Sequence, residues 1–210
     1  RSLATQTIFQ TLVTEWVPDR RSDVRSFTAS LIEAIHQANQ AVHQRSLENP
    51  ELRGMGTTLT AVGILGEQLN FAQVGDSRAY LIRGGEVEQV TRDQSLARHL
   101  VDKGEMTEED AENSPGRNII LQALGPTPNV DVVLSQRRAQ RGDALVLCSD
   151  GLSGVVQEKE ILEAVERSQD PAVVCEDLVE LANSRGGPDN ITVIVVRLDG
   201  PGLKENRGWG

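Results

Sequence analysis

"TTLTAVGILGEQLNFAQVGDSRAYLIRGGEVEQVT" (Thr57–Thr91) is a run of strand patterns with no helix between them. Thr57–Leu65 and Leu69–Gly75 read as two strands joined at Gly66-Glu67-Gln68. "RAYLIRGGEVEQVT" adds two more across Gly84-Gly85, a hairpin signal. Successive strands without crossover helices exclude a βαβ parallel sheet for this part of the chain.

The flanks read differently. Leu3, Thr7, Ile8, Leu12 and Val13 recur at helical spacing up to Trp16, and Pro18 stops the pattern. A second helix is expected over Val24–Leu47, with Phe27, Leu31, Ile35, Ala38 and Val42 on one stripe and Pro50 closing it. Beyond the strands, Gln94–Gly125 is polar and helical, with Thr107-Glu108-Glu109-Asp110 resembling a helix start. It reads as an excursion from the core. Strands return at Val130–Leu134 and Ala144–Cys148, helices at Glu158–Arg167 and Ala172–Ser184. Asn190–Leu198 is apolar on both faces and is expected to be a central strand. This order predicts an α+β fold of two packed sheets with helix pairs outside.

With 38% apolar residues in 210, the chain can build a core without covalent staples. A net charge of −10 argues against nucleic-acid binding, because phosphate backbones require basic patches. The acidity is either a solvated surface or includes carboxylates gathered for divalent cations. Cys148 and Cys175 lack metal-ligand spacing and read as core thiols of a reducing, cytoplasmic compartment. No apolar run approaches the roughly 18–20 residues of a membrane span, and no signal-peptide pattern opens the chain. The sequence begins at Arg1 inside a helical pattern and reads as a piece of a longer chain.

Three aspartates share a setting at strand ends. Asp150 follows "LVLCS", Asp189 precedes "NITVIVV" after the flexible "SRGGP", and Asp93 follows "VEQVT" at the start of the excursion. Strand ends gather at sheet edges, so these acids can converge and offer the oxygen ligands that Mg²⁺ or Mn²⁺ requires. Each could equally cap a turn or helix, and spacing alone leaves both readings open. His36, His43 and His99 lie on polar helical stretches and are given no catalytic role.

"GMGTTLTAVGI", "AQVGDSRAYLIRGG", "VTRDQSL", "RNIILQALG", "SDGLSG" and "GGPDNITVIVV" follow one another in that order. Together they resemble the PP2C (PPM) family of metal-dependent protein serine/threonine phosphatases, in its bacterial form, over nearly the whole chain. The resemblance implies a four-layer α-β-β-α sandwich of two antiparallel sheets with flanking helix pairs. It implies one phosphatase domain over residues 1–199, with a flap subdomain at about 95–118 and a Gly-rich tail at 200–210. Asp150 and Asp189 fall on the family's SDG and DN metal ligands. Asp93 falls on the acid that helps hold a weaker third metal in bacterial members, with Gln94 where the family usually has His. Asp76 falls in a motif read as structural.

The implied activity is hydrolysis of phosphoserine or phosphothreonine by a water activated on two or three Mn²⁺ or Mg²⁺ ions. Phosphorylated proteins are the implied substrates, with a cognate serine/threonine kinase as a candidate partner. The family's first acid, its DGMGG-type motif and its phosphate-binding arginine precede the first helix and have no counterpart from Arg1 onward. Residues 1–210 alone are therefore expected to lack part of the metal shell, and to be inactive and poorly soluble. The alternatives are a non-catalytic regulatory or binding domain of the same family, a truncated fragment, or a metal-dependent hydrolase of another substrate.

Overall fold

The computed structural model describes residues 2–15, 24–114 and 116–204. Trp16 and Pro18, read as the end of the first helix, and the last six residues of the tail lie outside them. The chain folds as two compact units. One comprises residues 1–65, 72–75 and 93–134, the other 66–71, 76–92 and 135–210.

In the first unit, α1 (Ser2–Glu15) packs along α2 (Val24–Glu48). The expected stripe of α2 is its buried face, with Ala34 added to Phe27, Leu31, Ile35, Ala38 and Val42. These side chains meet Ala4 and Ile8 of α1, Ala72, Val74, Leu124 and Val130 in one cluster. Burial of each large apolar side chain stabilises the unit by about 1.5–3 kcal/mol. Pro50 opens a single 3₁₀ turn (Pro50–Leu52) after the helix, capped by the Asn49 side chain. Asn39, 1% exposed on α2, ties down the segment after Leu124. Its Oδ1 accepts from Gly125 N–H (2.7 Å), and its Nδ2 donates to the carbonyls of Thr127 (3.1 Å) and Pro128 (3.0 Å). Among its described residues the excursion holds two short helices, α3 (Leu96–Asp102) and α4 (Glu108–Asn113), each capped by a hydroxyl, Ser95 and Thr107.

Among the described residues seven strands form two antiparallel sheets. β1 (Leu59–Leu65), β2 (Gln68–Val74) and β5 (Val133–Arg138) make a sheet of order β1-β2-β5. β3 (Arg78–Arg83), β4 (Glu86–Gln89), β6 (Asp143–Cys148) and β7 (Val193–Leu198) make a sheet of order β4-β3-β6-β7. The β3–β4 hairpin pairs Arg83 with Glu86, leaving Gly84 and Gly85 as a two-residue loop at φ +59° and +80°. Both values lie in the left-handed region that such a loop needs, which is why two glycines stand there.

In the second unit, Tyr80, Ile82, Ala144, Val146 and Cys148 on one face of β3 and β6 pack against α6 (Glu158–Arg167) and α7 (Pro171–Ser184). Ile161, Ala164, Val165, Val174, Leu178 and Ala182 supply the helix side of that core. The alternate residues Ala79, Leu81, Leu145 and Leu147 are also buried, so both strands are covered on both faces. Asp143 at the start of β6 is fully buried and forms a two-pronged ion pair with Arg83 (2.7 and 2.8 Å). The Asp143 carboxylate also accepts from Gln140 N–H (2.7 Å), so the buried charge has several partners.

Two expectations change. β7 stands at the end of its sheet order, and Ile194 is 52% exposed. Its apolar composition reports coverage of a face by α7, with Val193 and Val195 packed on that core, and says nothing about its rank in the sheet. β5 starts three residues later than expected and runs into polar sequence. Gln136 donates to Asn70 on the neighbouring β2, Arg137 pairs with Glu88 on β4 of the other sheet and Arg138 with Glu67 in the β1–β2 turn, so polar partners meet a strand that hydrophobic periodicity does not mark.

Candidate metal centre

β6 ends at Cys148, which pairs with Val193 of β7. One residue on, Ser149 is extended (φ −79°, ψ 166°) and begins α5 (Asp150–Ser153), a single turn where the sequence suggested only a strand end. The Ser149 backbone N–H donates to Thr192 O (3.1 Å). Its hydroxyl donates to Asn190 O (3.0 Å) and accepts from Thr192 N–H (3.0 Å). The β6–β7 pairing is thereby carried past its last strand residue to the segment that follows Asp189.

Gly151 completes the junction. A Cβ at this position would lie 2.4 Å from Asn190 O, 2.9 Å from Asn190 C and 3.3 Å from Asp189 O. Only glycine permits the turn after Asp150 to lie this close to the Asp189–Asn190 backbone. Asp150 is half-buried as the first residue of α5, and Asp189 is exposed, its Oδ1 accepting from Asn190 N–H (2.6 Å). The structure thus joins the two segments that carry Asp150 and Asp189.

The approach to Asp189 is fixed from the helix side. Arg185, just past α7, donates to the Glu160 carboxylate and to Val155 O. The Arg185 guanidinium, helped by the Gln157 N–H, pulls the Glu160 carboxyl down to about 2. Gly186 (φ +102°) and Gly187 (φ +50°) then turn the chain toward Pro188 and Asp189.

Asp93 lies in the first unit, half-buried. Its neighbour Gln94 stitches that segment together. The Gln94 Oε1 accepts from Gly75 N–H (2.6 Å), its Nε2 donates to Asp131 O (2.9 Å), and its backbone oxygen accepts from Leu121 N–H (2.7 Å). The side chain that stands in place of the family's usual His is therefore occupied in holding loops. His43 is likewise structural, its Nδ1 2.7 Å from Gly125 O.

Among the described residues no cluster of three or more His, Cys, Asp or Glu side chains forms a ready-made metal site. The donor set of Asp150 and Asp189 nonetheless fits a hard divalent cation in kind. Both are carboxylates, Asp150 half-buried and Asp189 exposed, and Mg²⁺ is commonly held by one or two carboxylates plus waters. The sequence marked both aspartates but not the parts that join them. Ser149 and Gly151 stood in the quoted "SDG", and nothing local distinguishes a bridging hydroxyl from an ordinary helix cap.

An α+β chain with two antiparallel sheets and carboxylates at a strand end now has its class. Residues 2–186 match the family model for protein phosphatase 2C, and the chain belongs to that family. It is 43% identical over 167 residues to the serine/threonine protein phosphatase PstP of Mycobacterium tuberculosis, covering 80% of this chain and 32% of that protein. The chain therefore spans about a third of the length of PstP. It is 37% identical over 201 residues to the protein phosphatase PhpP of Streptococcus pneumoniae, covering 94% of this chain and 80% of that one. A crystal structure of the PstP catalytic domain in complex with two manganese ions matches with a TM-score of 0.77 and 38% identity, over 92% of this chain and 80% of that chain. Among the described residues no helix is long and apolar enough to cross a membrane.

Proposed function

We propose that the protein is a metal-dependent serine/threonine protein phosphatase, with Asp150 and Asp189 as ligands of its central divalent ions. The observation that carries this reading is the Ser149–Gly151 junction, which fastens the Asp150 turn to the Asp189 segment in a chain of the protein phosphatase 2C family. Two ions, Mn²⁺ as in the PstP complex or Mg²⁺, would supply an activated water and neutralise charge on the phosphoryl group. This chain's residues hold the two carboxylates in register and keep their edge open to water and substrate. Asp93 is the ligand proposed for a third, weaker ion, and residues 95–118, which contain α3 and α4, are the proposed flap of a single phosphatase domain.

Phosphorylated proteins are the proposed substrates, and a serine/threonine kinase that makes them is the proposed counterpart. The cytoplasm is the proposed location, which suits Cys148 and Cys175, neither of them joined in a disulfide.

The test, made on the full-length protein, is hydrolysis of phosphoserine and phosphothreonine peptides with and without Mn²⁺. Asp150→Asn or Asp189→Asn should lower turnover at least about 100-fold, because water activation and charge stabilisation both depend on the ions. Asp93→Ala should lower turnover while the two central ions stay bound. Mn²⁺ binding without turnover would favour a non-catalytic domain, and unchanged turnover in both asparagine variants would overturn the ligand assignment.

A further inference from the structure

Ser149 occupies the N-cap of α5 but makes no side-chain bond to its own helix. Serine at such a position ordinarily satisfies an orphan N–H of the first turn. Here the hydroxyl instead donates to one partner and accepts from another, 41 and 43 residues away in sequence. The placement is specific. Ser149 immediately precedes Asp150, and its acceptor Asn190 immediately follows Asp189. The last β6–β7 strand pair is Cys148 with Val193, so the hydroxyl acts where regular pairing has ended. The Ser149 N–H bond to Thr192 O survives any side-chain change, whereas the link to Asn190 O, next to Asp189, is made by the hydroxyl.

We propose that Ser149 is a positioning residue, whose hydroxyl sets the separation of the Asp150 and Asp189 carboxylates and so tunes the affinity of the site for divalent ions. The proposal rests on the reading of those aspartates as ligands. The side chain touches neither ion nor substrate. It acts through the two backbones it ties, and a ligand pair held to within about 0.5 Å binds better than one left to wander.

The experiment measures Mn²⁺ affinity by calorimetry on the full-length protein and on its Ser149→Ala, Ser149→Thr and Ser149→Val variants. Threonine and valine match in shape and differ in the hydroxyl, so they isolate it even if the alanine variant folds poorly. Melting temperature is recorded in chelator and in saturating Mn²⁺. The dissociation constant should rise about tenfold or more in Ser149→Ala, and in Ser149→Val relative to Ser149→Thr, with a smaller Mn²⁺-induced rise in melting temperature. The metal-free melting temperatures of Ser149→Val and Ser149→Thr should stay close. Equal Mn²⁺ affinity in that pair overturns the proposal while leaving the metal site standing. A difference confined to the metal-free melting temperature overturns it as well, because the hydroxyl would then serve stability alone. Failure of the unsubstituted full-length protein to bind Mn²⁺ instead brings down the ligand assignment on which it rests.

Discussion

Replacing Gly151 by alanine probes the same junction by sterics rather than by hydrogen bonding. The new Cβ would lie 2.4 Å from Asn190 O and 2.9 Å from Asn190 C, where ordinary contact begins near 3.4 Å. The neighbours are backbone atoms, so no side chain can rotate away, and the two segments must separate by about 1 Å. Alanine in the α5 turn returns up to about 1 kcal/mol of helix propensity. Overpacking of this kind costs about 1–3 kcal/mol, so the net effect on folding is modest and destabilising. The effect on the site is larger, because a misplacement of about 1 Å can cost about 100-fold in rate. Urea unfolding and Mn²⁺ calorimetry on the variant separate the two. We expect a stability loss of at most about 2 kcal/mol, with Mn²⁺ affinity and phosphopeptide turnover both reduced, turnover by about 100-fold. A variant that folds, binds Mn²⁺ and turns over like the parent would refute the claim that close approach of these backbones builds the site.

Two further outcomes follow from other parts of the molecule. Asn39→Ala leaves the buried Gly125 N–H without its acceptor and removes the donors to Thr127 and Pro128. Stability should fall by about 2–4 kcal/mol, read as a lower urea midpoint at unchanged slope. Glu160 titrates near 2 when folded, below its ordinary value of 4.5, because Arg185 and the Gln157 N–H favour its charged form. The folded state then binds fewer protons than the unfolded one, so this contribution is fully present above pH 4.5 and fades as pH falls toward 2. For a pair at the surface it should not exceed about 1 kcal/mol. Comparing the parent with Glu160→Gln across that window by chemical unfolding should show the difference shrinking with acid, and a constant difference would refute the assignment.

The sequence by itself determined what depends on local chemistry. The stripe of α2 follows from a 3.6-residue period, and the β3–β4 hairpin from two glycines that alone tolerate its positive φ values. The C-terminal end of β6, and the positions of Asp93 and Asp150 after their strands and of Asp189 before its own, follow from apolar runs meeting polar residues. Tertiary structure decided the rest. β5 extends through Gln136, Arg137 and Arg138, whose polar groups are met by Asn70, Glu88 and Glu67 far away in sequence, and no local period records such partners. β7 takes the end of its sheet although its composition suits a central strand, since composition reports covered faces and strand order is set by pairing. Ser149 and Asn190, 41 residues apart, meet because β6 and β7 pair in one register and Gly151 leaves room for the contact. A hydroxyl's partner is a property of the folded neighbourhood, so that junction became visible only when the two strands were side by side.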